Sequence, residues 1–136
     1  MRRSSCLFAL ATTLAATTAT VATADQTFNR IATFAIADNL PSDIAKETPT
    51  SSEIITASDD GNTLIYSDSP LGAIGFIDIK DARNPKAGGI LKVDGEPTSV
   101  VQRGGKVYAG VNTSKSKVEP SGTMLVIDLA SRKVEK

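Results

Sequence analysis

Residues 73–93 read AIGFIDIKDARNPKAGGILKV. Ile74 and Phe76 lead into an apolar-Asp-apolar step, Ile77-Asp78-Ile79. Lys80 to Asn84 with Pro85 break that run, because proline has no N–H to offer a ladder. Ile90-Leu91-Lys92-Val93 then resumes as a second strand. An echo, MLVIDLASRKVE, stands at residues 124–135. A segment that recurs within one chain predicts a repeat architecture, and the flanking residues are read on that basis.

Working outward, EIITA at residues 53–57 is a short strand and Thr63 to Ser67 a second. Between them, Ser58-Asp59-Asp60-Gly61-Asn62 is a dense turn signal, with Gly61 free to take positive φ, so the two strands form a hairpin. Ser69-Pro70-Leu71-Gly72 turns the chain into the opening stretch. The cycle restarts at Asp94-Gly95-Glu96-Pro97. Residues 98–102 and 106–109 flank the tight turn Arg103-Gly104-Gly105, a polar loop spans 112–122, and strands follow at 124–129 and 133–135. The two cycles overlay with Ser99 on Glu53, Tyr108 on Tyr66 and Asp128 on Asp78. Four short strands per unit of roughly 40–50 residues is the pattern of a propeller blade. A β-sandwich also has many short strands, but it does not predict matched cycles.

The expected fold is therefore all-β: a β-propeller fragment of about two four-stranded antiparallel blades after a signal peptide. Residues 1–24 are the signal peptide, 25–52 a leading strand and loop, 53–96 the first blade, and 97–136 a second, incomplete blade. In the leader, residues 30–36 are read as a strand, and 42–47 as one helical turn capped by Ser42. Each blade carries apolar residues on both faces and needs a neighbour on each side. Two blades are fewer than such arrays need for stability, so the expectation is an N-terminal piece of a longer protein, with residues 25–136 folding poorly alone.

Arg2 and Arg3, the apolar or small run from Cys6 to Leu14, and Ala22-Thr23-Ala24 before Asp25 make the export-signal pattern. That apolar run is far short of a membrane span. The expected location is periplasmic or secreted. Ser4 to Leu7 lack most of a twin-arginine motif, and Cys6 precedes the apolar run where a lipidation cysteine would follow one. The formal net charge is zero, and the chain without Arg2 and Arg3 has two more acidic than basic side chains. This gives no basic stripe for nucleic acid. There is no His in the chain, and Cys6 is its one cysteine. His-based triads, His metal ligands and mature-chain thiol chemistry are excluded.

Residues 75–101, GFIDIKDARNPKAGGILKVDGEPTSVV, resemble the LVIVD-type repeat of secreted bacterial β-propellers. The matching pieces are Ile77-Asp78-Ile79, the Asn84-Pro85 turn and the Gly95-Glu96-Pro97 lead. The second copy keeps Ile127-Asp128-Leu129 and has Ala130-Ser131-Arg132 in place of the Asn-Pro turn. Residues 51–79 also resemble the beginning of large secreted proteins with a phytase-like or esterase-like propeller further along. The resemblance implies partners in further propeller blades of the full-length chain. It also implies, as the alternative, a phosphoesterase or esterase neighbour that is often calcium-associated, with its catalytic residues beyond Lys136. No cofactor is evident within these residues, and no catalytic residue is assigned to them.

Asp59, Asp60 and Asn62 are a calcium candidate, because they cluster oxygen ligands. Position 12 counted from Asp59 is Pro70, where an EF-hand loop needs an acid, and the same residues are what a hairpin turn requires. Glu53 and Glu96 stand where the innermost strands begin, and a carboxylate pair can do acid–base work. Solvated loop carboxylates are the simpler reading. Asp78 and Asp128 recur at one repeat position, which suits acceptance of backbone N–H bonds at a strand end. Gly104-Gly105-Lys106 lacks P-loop spacing, and no serine sits in a G-x-S-x-G elbow. Asn112-Thr113-Ser114 fits a glycosylation sequon. The expected function is an exported propeller module that binds or scaffolds an unidentified ligand or protein.

Overall fold

A computed structural model describes residues 29–136. The signal-peptide reading of residues 1–24 lies outside them. Eight strands form two four-stranded antiparallel sheets. The first contains β1 (Ile55–Ala57), β2 (Thr63–Asp68), β3 (Ala73–Asp78) and β4 (Lys86–Lys92). The second contains β5 (Glu96–Arg103), β6 (Lys106–Asn112), β7 (Gly122–Asp128) and β8 (Lys133–Val134). Within each sheet the spatial order follows the chain order. The expected hairpins form, and β4, β5 and β6 run longer than their apolar cores alone indicate. Glu53 and Ile54 extend the first hairpin, their backbones bonding that of Ser67.

Strand side chains alternate between faces, so register decides what each sheet presents. In the first sheet Ile65 lies opposite Phe76, and Ser67 opposite Ile74. These residues face the second sheet, where Val100, Val107, Ala109 and Ile127 complete one buried cluster. Four ties cross this interface among the described residues. Gln102 Nε2 and the Gly105 N–H donate to Asp59 Oδ2, at 3.0 and 3.3 Å. The Ser69 hydroxyl lies 2.8 Å from the Pro97 carbonyl. The Arg132 guanidinium sits 4.9 Å from the centroid of the Phe76 ring and donates to the Gly88 carbonyl.

The registers correct two overlays: Ser99 corresponds to Ile54 and not to Glu53, and the tyrosines do not match. Asp78 pairs with Thr63, and its counterpart Asp128 pairs with Lys106. Tyr108, opposite Val126, therefore corresponds to Ile65, opposite Phe76. Ala109, and not Tyr108, corresponds to Tyr66. A slip of one residue reverses the face, so the two tyrosines point in opposite senses. With this alignment, each sheet has an upstream face and a downstream face. The downstream face of the first sheet (Ile65, Ile74, Phe76) meets the upstream face of the second (Val107, Ala109, Ile127). A two-fold duplication brings equivalent faces together, whereas a serial array brings unlike faces together. The packing here is serial.

The leader departs from expectation. Residues 29–35 form no strand, and Ile36–Asn39 is a 3-10 turn. Ile31 and Phe34 are spaced by three, which does not suit a period of two; with Ala32 and Thr33 they line an apolar groove against Leu64, Ile77 and Ile79. Residues 42–47 make two separate turns, closed by Ile44 N–H to Pro41 and Thr48 N–H to Ala45, in place of the expected helical turn. The leader lies on the upstream face of the first sheet, where Leu40 packs with Leu71 and Ala73 beside Ile44 and Ile90.

Asn39 fixes this docking. The β3–β4 register shifts between Gly75 and Ile77, leaving Phe76 without a ladder partner. Gly88 sits at the bulge because a Cβ there would lie 2.6 Å from the Phe76 carbonyl oxygen. The buried Asn39 amide supplies the missing partners: Nδ2 points at the Phe76 and Gly89 carbonyls, both at 3.0 Å, and Gly89 N–H donates to Oδ1 at 2.8 Å. Nδ2 also lies 2.8 Å from the Tyr66 hydroxyl, so its two hydrogens are shared among three acceptors. Burial pushes the Tyr66 phenol upward, the Asn39 amide opposes this, and nearby Asp68 adds to it.

The Tyr66 ring lies over Gly75, where an added Cβ would fall 2.0 Å from the ring. Gly75→Ala is expected to displace the ring and destabilise the fold by about 1–3 kcal/mol. Tyr66→Phe, which keeps the ring, is expected to cost about 1 kcal/mol. Urea unfolding checks both, and a cost for Gly75→Ala below that for Tyr66→Phe would contradict the packing described.

Candidate functional site

An open groove of about 640 Å³ runs along the rim where the two sheets meet. The β1–β2 hairpin supplies Asp59, Asp60 and Asn62, the β5–β6 hairpin Gly104 and Gly105, and the β7–β8 turn Arg132. Lys80 also lines it and makes no ion pair among the described residues. The sheet stacking creates this site: one wall comes from a hairpin of the first sheet, and the other from a hairpin and a turn of the second.

The turn chemistry of the first hairpin explains its acids. Asp60 Oδ1 accepts the Ser58 hydroxyl at 2.6 Å and the Asn62 N–H at 3.0 Å, while Oδ2 accepts Asn62 Nδ2 at 3.0 Å. These bonds, that from Ser58 foremost, hold its carboxyl at about 2. Asp59 turns the other way, toward the second sheet, where it accepts from Gln102 and from Gly105 N–H at 3.3 Å. The Gln102 bond leads in lowering its carboxyl, aided by Gly105, Gly104 and Arg103. The calcium candidate is thus divided between two jobs. Asp59 tethers the sheets, and Asp60 with Asn62 braces a turn. Calcium takes six to eight oxygens, and the set as arranged does not fit such a cage. Among the described residues no three His, Cys, Asp or Glu side chains gather to hold a metal.

Ser58 and Asp60 have the contact of a nucleophile and its base. A carboxylate held at about 2 is a poor proton acceptor at neutral pH, however, because an effective base titrates near its working pH. Ser58 Oγ is also engaged by the Thr63 N–H at 2.9 Å. The pair is a turn brace.

The recurring aspartates act as strand-end acceptors. Asp78 Oδ1 takes the Lys80 N–H at 2.9 Å. Asp128 Oδ1 takes the Ser131 hydroxyl at 2.7 Å and its N–H at 2.8 Å, and Oδ2 pairs with Lys106 at 3.1 Å. The Ser131 bonds, with Lys106 behind them, hold Asp128 at about 2. Glu135, 2.6 Å from Lys106 Nζ, and then Asp128 raise the lysine.

Glu53 and Glu96 are not brought into a catalytic pair. Glu53 accepts from the Ser69 hydroxyl, Glu96 from Asn112 Nδ2 at 3.4 Å, and no hydrogen bond joins the two. Asn112 of the sequon is half-buried, and its Oδ1 accepts the Ser114 N–H at 3.0 Å.

Two features carry no simple sequence signal. Asp68 is fully buried, receiving the Thr50 hydroxyl, the Ser51 N–H at 3.0 Å and the Leu71 N–H at 3.1 Å. It thereby joins the leader to the β2–β3 turn. The second is the β6–β7 loop, which a serine–threonine clasp closes at its neck. Thr113 N–H bonds the Ser121 carbonyl at 3.0 Å, the two hydroxyls meet at 2.8 Å, and Ser121 N–H bonds Ser114 Oγ at 2.8 Å. Beyond the neck, a bridge between Ser116 and Glu119 holds out a tip on which Val118 is 87% exposed. The β2–β3 connection of the first sheet has no such extension.

Comparison with protein-family models, with curated proteins and with solved structures finds no match to this chain.

Two expectations follow. Asp60 and Asp128 titrate below their ordinary value when folded, so their contribution is full above a pH of about 4, the unfolded value. It is lost as pH falls through about 2. The urea midpoint should fall from pH 4 to pH 2, and fall less in the D60N/D128N double variant; parallel profiles would refute the assignment. Ser114→Ala should speed trypsin cleavage after Lys115 and Lys117 while leaving Tm within about 2 °C, since a surface loop opens without the core. Unchanged cleavage would show that the clasp does not hold the loop.

Proposed function

We propose that this chain is an exported β-propeller-type repeat module that serves as a binding scaffold. The supporting observation is the serial packing of its two sheets, downstream face onto upstream face. A contact between unlike faces leaves one face of each kind at the ends, and it is satisfied by further copies until a ring closes. The downstream face of the second sheet is such an end. It presents Tyr108 and Val126, with Val101 at 55% and Met124 at 65% exposure. The partner that suits it is another sheet of the same kind.

The rim groove favours binding over hydrolysis. Its acids are held ionised by turn and inter-sheet bonds, and Lys106 is already paired. What remains for a ligand is a polar cleft between hairpins, with Lys80 unpaired on its wall. The clasped β6–β7 loop is a second presenting element, because rigid loops on a sheet scaffold are common recognition sites.

Fusing a second copy of residues 94–136 after Lys136 tests the reading. The appended sheet should dock, slow amide exchange in β6 and β7, and raise Tm by about 5 °C or more. Unaltered exchange in β6 and β7 would sink the serial-module reading.

A further inference from the structure

We infer that residues 29–52 are an intramolecular plug. They occupy a seat that a neighbouring sheet takes elsewhere in the same chain, and so they keep one copy of the protein from docking onto another. The inference rests on the serial reading above and adds to it what covers the first sheet.

The second sheet docks through Val107, Ala109 and Ile127 onto the downstream face of the first. By register, the matching face of the first sheet carries Leu64, Tyr66 and Ile77. That is where the leader lies, with Asn39 bonded to Tyr66 and Gly89, Leu40 packed on Leu71 and Ala73, and Ile31 and Phe34 beside Leu64 and Ile77. The described residues therefore hold one docking face of each kind. Among them the downstream one, on the second sheet, is open, and the upstream one, on the first sheet, is plugged.

The plug holds differently from a sheet. Its buried apolar cluster is small: Leu40, Leu71 and Ala73, with Ile44 and Ile90 partly covered. The cluster between the sheets is built from seven buried residues, among them Phe76 and Ile127. The leader relies instead on the Asn39 amide and on Thr50 and Ser51 bonding Asp68. It also leaves Ile55, on the same face of β1, 54% exposed. An incoming sheet would find a foothold there. Without the plug, unlike faces at opposite ends of one molecule make a heterologous contact, which propagates instead of stopping at a dimer.

The full chain tests this with variants that alter the leader's apolar side chains and leave the Asn39 amide in place, Leu40→Lys and Ile44→Lys. Exchange of the Gly89 amide reports release of the plug, and sedimentation velocity over a concentration series reports association. The expected result is a monomeric wild type. In each variant, Gly89 exchange should quicken by about tenfold, as for loss of one buried hydrogen bond. The average mass should then climb with concentration past that of a dimer. Adding Val101→Glu with Met124→Glu, both at exposed positions on the downstream face, should return the variants to monomers. Variants that release Gly89 yet stay monomeric overturn the proposal, as does association that ignores the two glutamates. Loss of the strand signal in far-ultraviolet circular dichroism for both variants also overturns it, because the leader would then be part of the first sheet's fold and not a replaceable cover. The fusion experiment reads the downstream face alone, so its outcome separates failure of the plug from failure of serial stacking.

Discussion

A four-stranded sheet that is apolar on both faces must be covered on both, and this constraint governs the molecule. Strand β3 is buried at Ala73, Ile74, Phe76 and Ile77 alike, so both faces of the first sheet are withdrawn from water. Burying one side chain of this size contributes about 1.5–3 kcal/mol, against about 1 kcal/mol net for an ordinary hydrogen bond. Six such residues between the sheets, with Ala109 beside them, therefore outweigh the four polar ties that cross the same interface. Apolar burial holds the sheets together. The polar ties set how one sheet is turned upon the other, because a flat apolar contact alone tolerates sliding.

The same division of labour explains the polar groups buried under the leader. A bulge in β3–β4 frees the backbone of Phe76 and Gly89, and an unpartnered backbone group away from water costs more than a made bond gains. The Asn39 amide has a donor side and an acceptor side, as a strand backbone does, and it fills the gap on both. Asp68 does the equivalent at the other end of β2, collecting two N–H groups and a hydroxyl. These residues specify where the leader sits, while Leu40 and Ile44 supply the apolar cover.

The parts legible in the sequence are those fixed by local chemistry. Gly61 between Asp60 and Asn62, and the pair Gly104-Gly105, take positive φ and close hairpins whatever lies around them. Period-two alternation then yields the strands, and the recurrence of Asp78 at Asp128 yields the second cycle. Asn39 was not legible, because its partners lie 27 to 50 residues away. The bulge beside Gly88 likewise takes its partner from outside the sheet, at a distance that local sequence does not encode. The tyrosine overlay failed for a related reason: matching Tyr108 to Tyr66 by residue type ignored face, and face is set by hydrogen-bond register. The calcium candidate was legible as a cluster of acids. Only the opposite aim of Asp59 and Asp60 shows that one serves the interface and the other its own turn.

The rim groove has no existence within a single unit. One wall is the β1–β2 hairpin and the other is the β5–β6 hairpin with Arg132. Arg132 holds its reach across to Phe76 and Gly88 with a φ of 55°, a left-handed conformation that a non-glycine residue adopts only when its surroundings hold it there. Asp59, Gln102 and Gly105 close the same corner from the other side. Any change that rotates one sheet against the other thus reshapes the groove and strains these ties together. In this architecture the shape of the rim groove and the stability of the stack are one mechanical property, because both depend on the angle between two sheets that share a single apolar core.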